Sequence, residues 1–301
     1  MIRNERILVI LNPSSGVAAK DTAVSFIFRK LRKHFNTVSL INSNSPSHGY
    51  EIARQSLSQF DTFTAFGGDG TINSIASALV GTGKTLGILP GGSGNGLARN
   101  LNIPTKWKQA VDILIHGTDS FVDAGKINGK LFFNVAGLGF DALISKKFNQ
   151  ESRRRGIASY VYISLKEFSA SPSFHVKIND NNSTFEEEFL VLALANFKQY
   201  GSKAIIAPFA SPTDNLLEMC IIKKFNLIKE SLYISTLFNG TIHKFPFYKS
   251  IKFERCEITS LKGSIPYHFD GEYGGEDLTH FTIETVPSCL KVRTCFLEKG
   301  H

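Results

Sequence analysis

The sequence predicts two domains of different class. A three-layer, doubly wound and mostly parallel α/β sheet is expected over residues 1–120, followed by a mainly antiparallel β-sandwich over residues 121–301. Three observations carry this expectation. Apolar strand-like runs alternate with helical patterns through the first 120 residues, the order of a parallel sheet covered on both faces. Beyond that point strand patterns follow one another with few helices between them, which favours antiparallel pairing. Finally, two glycine-rich loops, Gly67-Gly68-Asp69-Gly70-Thr71 and Leu89-Pro90-Gly91-Gly92-Ser93-Gly94-Asn95-Gly96, each lie between a strand-like and a helix-like run.

The elements follow in order. Ile7–Leu11 is a continuous apolar run, as expected of a strand buried on both faces. From about Lys20 to Phe35 the positions Val24, Ile27, Phe28, Leu31 and Phe35 recur at helical spacing. Thr37–Ile41 reads as a strand and Tyr50–Leu57 as a helix. Thr62–Phe66 leads into the first glycine loop and Ile72–Leu79 leaves it as a helix. Leu86–Leu89 leads into the second and Leu97–Leu101 leaves it. The boundary is expected near Asp119–Asp123. Beyond it, strands are expected at Lys130–Ala136, Ser173–Ile178, Glu188–Leu194, Leu217–Ile222, Ser250–Ile258 and Phe281–Val286, with helical stretches near Ile157–Phe168 and Leu227–Phe238.

Composition narrows the function. The chain has 301 residues, 42% of them hydrophobic, and no apolar stretch long enough for a membrane span. Met1–Arg6 runs straight into Ile7–Leu11, too short and too poorly flanked for a signal peptide. Cys220, Cys256, Cys289 and Cys295 form no metal-spaced pair, so free thiols in a reducing cytoplasm are expected. The net charge of +8 asks for an anionic partner. The Lys and Arg residues are scattered and accompany no nucleic-acid motif, so an anionic nucleotide and an anionic membrane surface fit better than nucleic acid. The sharpest cluster, Lys146-Lys147 with Arg153-Arg154-Arg155, is either a headgroup contact or a solvated face.

The glycine loops carry the chemistry. Glycine lets backbone N–H groups approach an anion closely, and a following helix N-terminus adds favourable partial charge. Backbone amides of Gly67, Gly68, Asp69, Gly70, Thr71, Ile72 and Asn73 form the expected phosphate cradle, with Thr71 capping the helix. Gly92, Ser93, Gly94 and Asn95 add hydroxyl and amide donors from the second loop. Asp69 is acidic where phosphates should sit. A bridging Mg²⁺ removes that conflict, which leaves Asp69 as a metal contact, a group near an acceptor hydroxyl, or a turn residue. Asp270-Gly271-Glu272 places two carboxylates at i and i+2, on one face if the strand is regular. Close carboxylates raise one another's proton affinity, which suits a base near neutral pH.

GGDGT with LPGGSGNGLAR, the opening Asn12-Pro13-Ser14-Ser15-Gly16 and the late Phe269-Asp270-Gly271-Glu272 resemble the diacylglycerol kinase and sphingosine kinase catalytic family. Val122–Lys126, Asn134–Gly139 and Ile206-Ala207-Pro208 before Asp214-Asn215-Leu216-Leu217 fall in the family's order, so the resemblance runs from about residue 6 to residue 294. It implies ATP as phosphate donor, Mg²⁺, and a membrane lipid as acceptor. Asn12, Pro13, Ser14, Ser15, Gly16 and Ser43 are then nucleotide contacts. Glu272, Asp270 or Asp69 is the proton acceptor, and the choice among them stays open. It also implies a structural Mg²⁺ in the second domain, held by Asp214 with carbonyls of Ser211 and Leu216 and joined by Asp123. The family's C-terminal segment can return to the first domain. Gly96 stands where many diacylglycerol kinases carry an acid, as in the sphingosine kinase branch, so diacylglycerol and a sphingoid base are both acceptors to consider. The implied protein is cytoplasmic, peripheral at the membrane during turnover, with a homodimer open. The alternatives are an NAD-kinase-like activity on a soluble hydroxyl and a silent nucleotide- or lipid-binding regulator.

Overall fold

A computed structural model describes residues 3–15, 21–150, 163–164, 166–168, 170–180, 183–201, 204–227, 229–230, 233 and 235–295. The chain divides into two compact units. Unit 1 holds the residues up to Val122 and a second run from Ser288, and unit 2 holds Asp123–Pro287.

Unit 1 is the parallel α/β sheet. Strands β1 (Arg3–Leu11), β2 (Phe35–Asn42), β3 (Thr62–Gly67) and β4 (Thr85–Pro90) stand in the order β2-β1-β3-β4, every pair parallel. All six residues of β3 and of β4 are buried, which requires cover on both faces. Helices α1 (Asp21–Leu31), α2 (Pro46–Gln55), α3 (Asp69–Leu79), α4 (Gly96–Asn100) and α5 (Trp107–His116) follow the strands. α2 packs on α3, and α1 packs on α5 through an edge-to-face contact of Phe26 with Trp107 at 5.6 Å. Ser45 caps α2 by accepting from His48 N, with Pro46 at the first helical position.

The chain from Ser288 completes this sheet. Lys291 and Val292 pair in parallel with Thr85 and Leu86 on the free edge of β4. Arg293, 1% exposed, donates from Nε to Asp119 Oδ1 at 2.7 Å and bridges to Glu5 Oε2 at 2.9 Å. Burial pushes the carboxyls of Asp119 and Glu5 upward, but the hydrogen bonds and charge of Arg293 outweigh it and leave both below their ordinary values.

Unit 2 is a pair of facing sheets. β5 (Thr118–Ile127) enters it and turns back through β6 (Lys130–Phe132), after which β7 (Val135–Gly139) leads into helix α6 (Phe140–Gln150). Then come β8 (Phe174–Asn179), β9 (Thr184–Phe189), β10 (Val191–Ala195), the short pair β11 (Gln199–Gly201) and β12 (Ala204–Ile205), and β13 (Leu217–Ile222). Helix α7 (Thr236–Asn239) and strands β14 (Tyr248–Phe253), β15 (Arg255–Ser260), β16 (Tyr267–Phe269), β17 (Glu272–Gly275) and β18 (His280–Thr294) follow. One sheet runs β14-β13-β10-β7-β16-β17, every pairing antiparallel. In the other, β15 lies between β8 and the first half of β18, and β9 lies beyond β8. Leu138, Leu192, Leu194 and Met219 of the first meet Val176, Ile178, Ile258, Phe281 and Ile283 of the second in one core.

Three expected strands are each divided in two, and each division has a cause. Ser250–Ile258 changes sheet at Glu254, whose carbonyl accepts from Thr285 N. Glu188–Leu194 changes sheet at Leu190 between β9 and β10. Lys130–Ala136 breaks at Phe133-Asn134, whose N–H groups are taken by a side chain described below. The expected helix at Leu227–Phe238 falls partly outside the described residues, and its described end lies in α7. That at Ile157–Phe168 falls partly outside the described residues, as do Gly16 and Arg153-Arg154-Arg155. None of the four cysteines forms a disulfide. No helix among the described residues is long and apolar enough to cross a membrane.

Candidate functional site

In unit 1 the strand ends and glycine loops converge beyond the C-terminal edge of the sheet, where ligands of open α/β sheets bind. Asn12 follows β1. Its N–H donates to Phe66 O at 3.0 Å, its Nδ2 donates to Thr71 Oγ1 at 2.9 Å, and its Oδ1 accepts from Ser14 N at 3.0 Å. Pro13, Ser14 and Ser15 form a single 3-10 turn behind it. Asn12 therefore joins the opening motif to the first glycine loop.

α3 starts at Asp69 with Gly68 as its N-cap, so Thr71 lies inside the first turn and does not cap it. The Thr71 hydroxyl accepts from Asn12 and lies where a Cβ on Gly67 would come within 2.7 Å of it. The amides of Asp69, Gly70 and Thr71 open the helix and have no carbonyl partner within it. Ile72 is fully buried and contributes only backbone, and Asn73 is half-buried beside it.

The second loop is bound to the first backbone to backbone. Gly91 N donates to Gly67 O at 2.7 Å, and a Cβ on Gly92 would fall 2.7 Å from the Cα of Gly68. Asn95 takes left-handed backbone (φ 53°) and closes the loop on itself, Oδ1 accepting from Gly92 N and Nδ2 donating to Gly92 O. Its amide is thus committed inside the loop rather than offered to a ligand. Ser93 is exposed, and its hydroxyl makes no hydrogen bond among the described residues. A Cβ on Gly94 would come 2.6 Å from Asp69 Oδ2.

Asp69 is the link between the loops. Its Oδ2 accepts from Asn95 N at 2.9 Å and its Oδ1 from Gly96 N at 2.7 Å, at the start of α4. The carboxylate is compensated by these backbone donors, which answers the charge conflict seen in the sequence without a metal. Ser43 behaves differently from expectation. It is fully buried, and its hydroxyl donates to Leu11 O at 3.1 Å, tying β2 to β1.

In unit 2, Asp270 and Glu272 do not share the face of one strand. Asp270 (φ 49°) and Gly271 (φ 82°) are the two residues of the turn joining β16 to β17, with Phe269 paired to Glu272 across it. Positive φ at both positions is the pattern of a type I′ hairpin, the turn that an Asp-Gly pair favours. Asp270 reaches back to the chain between β6 and β7. Its carboxylate accepts from Phe133 N at 2.7 Å, Asn134 N at 2.7 Å and Val135 N at 3.1 Å. Such a clasp ties the hairpin to this segment and splits the strand expected there. Glu272, just past the turn, is exposed, and its carboxylate makes no hydrogen bond among the described residues.

Beside this hairpin lies a buried polar group that sequence reasoning passed over. His268 Nε2 lies 3.0 Å from Asp141 Oδ2, which also accepts from the Tyr200 hydroxyl at 2.8 Å. Asp141 lies in the first turn of α6, two residues past the Asn134–Gly139 motif, and His268 precedes Phe269-Asp270. Adjacency to both motifs was the available signal.

The turn expected to hold a structural Mg²⁺ was tested on its own donors. Asp214 Oδ2 lies 2.6 Å from Lys252 Nζ, and Oδ1 accepts from Leu216 N at 3.2 Å. Asp123, fully buried, accepts from Asn215 N at 2.9 Å, and Asn215 takes the left-handed conformation (φ 62°). The Ser211 hydroxyl meets that of Thr213 at 3.3 Å. A lysine already neutralises Asp214, so this turn does not fit a resident divalent cation.

Comparison with known proteins bears on the family and the fold. The family described as the diacylglycerol kinase catalytic domain matches residues 6–127, and the YegS C-terminal NAD kinase beta sandwich-like domain matches residues 134–294. A protein named diacylglycerol kinase from Bacillus subtilis (strain 168) is 27% identical over 278 residues, covering 90% of this chain and 91% of that protein. A YegS-like lipid kinase of Yersinia pestis (strain Pestoides F) is 30% identical over 239 residues, covering 77% and 78%. A crystal structure of a diacylglycerol kinase from Bacillus anthracis superposes with a TM-score of 0.74 at 20% identity, covering 98% of each chain. An Archaeoglobus fulgidus NAD kinase in complex with ATP shares the fold at a TM-score of 0.53 and 15% identity, covering 96% of this chain and 93% of that one. With one family matched in each unit and the glycine loops clasped together in the first, the chain belongs to the diacylglycerol kinase and YegS-like lipid kinase family.

Proposed function

We propose that this chain transfers the γ-phosphate of ATP to the hydroxyl of a membrane lipid, with diacylglycerol and a sphingoid base as the leading acceptors. The observation that carries this reading is the double glycine loop, whose two backbones are held against each other by Asp69 while the first-turn amides of α3 stay open to an anion. Phosphoryl transfer needs mainly positioning and charge neutralisation, and a preformed amide cradle supplies the first. Mg²⁺ carried by the nucleotide would supply charge neutralisation at the phosphates. Ser93 and the Pro13–Ser15 turn add donors at the rim of the cradle.

On the acceptor side, Glu272 takes the proton of the lipid hydroxyl as its oxygen attacks the γ-phosphorus. The new O–P bond forms, the bond from the γ-phosphorus to the bridging oxygen breaks, and ADP leaves. Of the three candidate acids, Asp69 and Asp270 have both oxygens engaged by backbone donors, whereas Glu272 is exposed and makes no hydrogen bond among the described residues. Asp270 then acts as a positioning residue that fixes the hairpin carrying Glu272. The net charge of +8 supports attraction to an anionic bilayer during turnover.

The test is transfer of label from [γ-³²P]ATP to a panel of lipids in mixed micelles, with NAD in the same panel. Label appearing in diacylglycerol or a sphingoid base is the expected result. Label in NAD alone, or in no acceptor, overturns the reading.

A further inference from the structure

We propose that the side chain of Lys252 is the built-in cation of unit 2, taking the structural place of a metal ion at the Ser211–Leu216 turn. The turn concentrates negative charge. Asp214 sits in it with its side chain only 15% exposed, and Asp123, fully buried, is hydrogen-bonded to the backbone of Asn215 within it. Asp123 N in turn donates to Pro212 O at 2.7 Å, so both ends of the turn are fastened to the residue that opens unit 2. Charge buried this deeply needs a counter-charge.

Lys252 is placed to provide it. It lies on β14 directly opposite Glu218 of β13, and that pairing runs in register from Leu217 to Ile222. From this position its Nζ reaches Asp214 Oδ2 at 2.6 Å, and its charge also acts on the buried carboxyl of Glu218. Asp214 Oδ1 is occupied by Leu216 N. A divalent cation at Asp214 would have to displace the ammonium and draw a full octahedral set of oxygens around itself. A lysine carries three donors and no acceptor, so it serves the same carboxylate without further protein ligands.

The consequence is a second domain whose stability does not depend on divalent metal, and it can be tested on nucleotide-free protein with no lipid present, separately from the kinase reading. Thermal unfolding of the wild type should give the same Tm in EDTA and in millimolar Mg²⁺. Lys252→Met keeps the stem and removes the charge, and should lose roughly 2–4 °C in EDTA. Millimolar Mg²⁺ or Ca²⁺ should restore most of that loss, because Asp214 is then open to metal. Adding Asp214→Asn to Lys252→Met should abolish the restoration. A wild-type Tm that falls in EDTA and recovers with Mg²⁺ overturns the proposal. So does a Lys252→Met protein of unchanged Tm, or one whose loss no divalent cation repairs.

Discussion

Asp270 and Glu272 lie two residues apart and have opposite surroundings, so substitutions at the two should fail in different ways. Glu272→Gln removes a carboxylate that makes no hydrogen bond or ion pair among the described residues. It should leave Tm unchanged and ATP affinity intact while lowering kcat by about 10²-fold or more. Parallel melting curves and steady-state kinetics check this, and activity within a few-fold of wild type would remove Glu272 from the reaction. Asp270→Asn turns an amide N–H₂ toward donors that need an acceptor. It should cost on the order of 1–3 kcal/mol of stability, visible in denaturant unfolding before any assay. The chain shows both acids and the turn chemistry of Asp-Gly. It does not show that the partners of Asp270 are backbone N–H groups of Phe133, Asn134 and Val135. Backbone donors leave no residue-type signature, and these lie about 135 positions away in sequence.

At the scale of the element, the two glycine loops behave as one part. Gly92→Val would place side-chain atoms against the Gly68 backbone, where even a Cβ comes within 2.7 Å of a Cα that cannot swing aside. ATP binding by calorimetry should be lost while the rest of the sheet stays folded, since neither glycine lies in the core. Asp69→Asn separates two ideas about the acid. As a link to Asn95 N and Gly96 N, its loss should raise the KM for ATP in a way that added Mg²⁺ does not relieve. Relief by Mg²⁺ would instead mark a metal contact. The strand–loop–helix order of these loops was legible from glycine spacing and apolar periodicity. The internal use of Asn95 and Ser43 was not, because a side-chain amide or hydroxyl looks the same in sequence whether it faces a ligand or its own backbone. Splitting of the β-strands at Glu254 and Leu190 escaped notice for a related reason. A residue at which the chain changes sheet interrupts neither β propensity nor alternation enough to read as a turn.

On the scale of the whole molecule, unit 1 is fastened by charge at its far end. Asp61 is hydrogen-bonded by Arg6 and held at about 2, well below the ordinary carboxylate range, chiefly by that contact. Asp119 and Glu5 are also lowered, through Arg293. A carboxyl whose folded pKa lies below its unfolded value contributes stability that is complete above the unfolded value. That stability is lost as pH falls through the folded one. Unit 1 should therefore begin to weaken below about pH 4 and continue to do so towards pH 2. Arg293→Met should shift the onset of acid unfolding to higher pH, read from circular dichroism along a pH series. An unchanged acid profile would show that the Arg293 cluster contributes nothing. A chain ending at Pro287 should lose unit 1 as a cooperative fold, although β1 to β4 and α1 to α5 are still present.

That last dependence reaches into synthesis. β4 is made early, yet the backbone that satisfies its outer edge arrives only with Lys291 and Val292. With translation at about 5–20 residues per second, the roughly 200 residues between them leave the ribosome over on the order of 10–40 s. Throughout that interval the nascent unit 1 carries an unpaired strand edge at β4, a template for pairing with any neighbouring nascent chain. Unit 2, continuous in sequence, can finish first. Unit 1 becomes complete only when the message has been read almost to Arg293, so a chain broken off earlier in unit 2 is released with that unit unfinished.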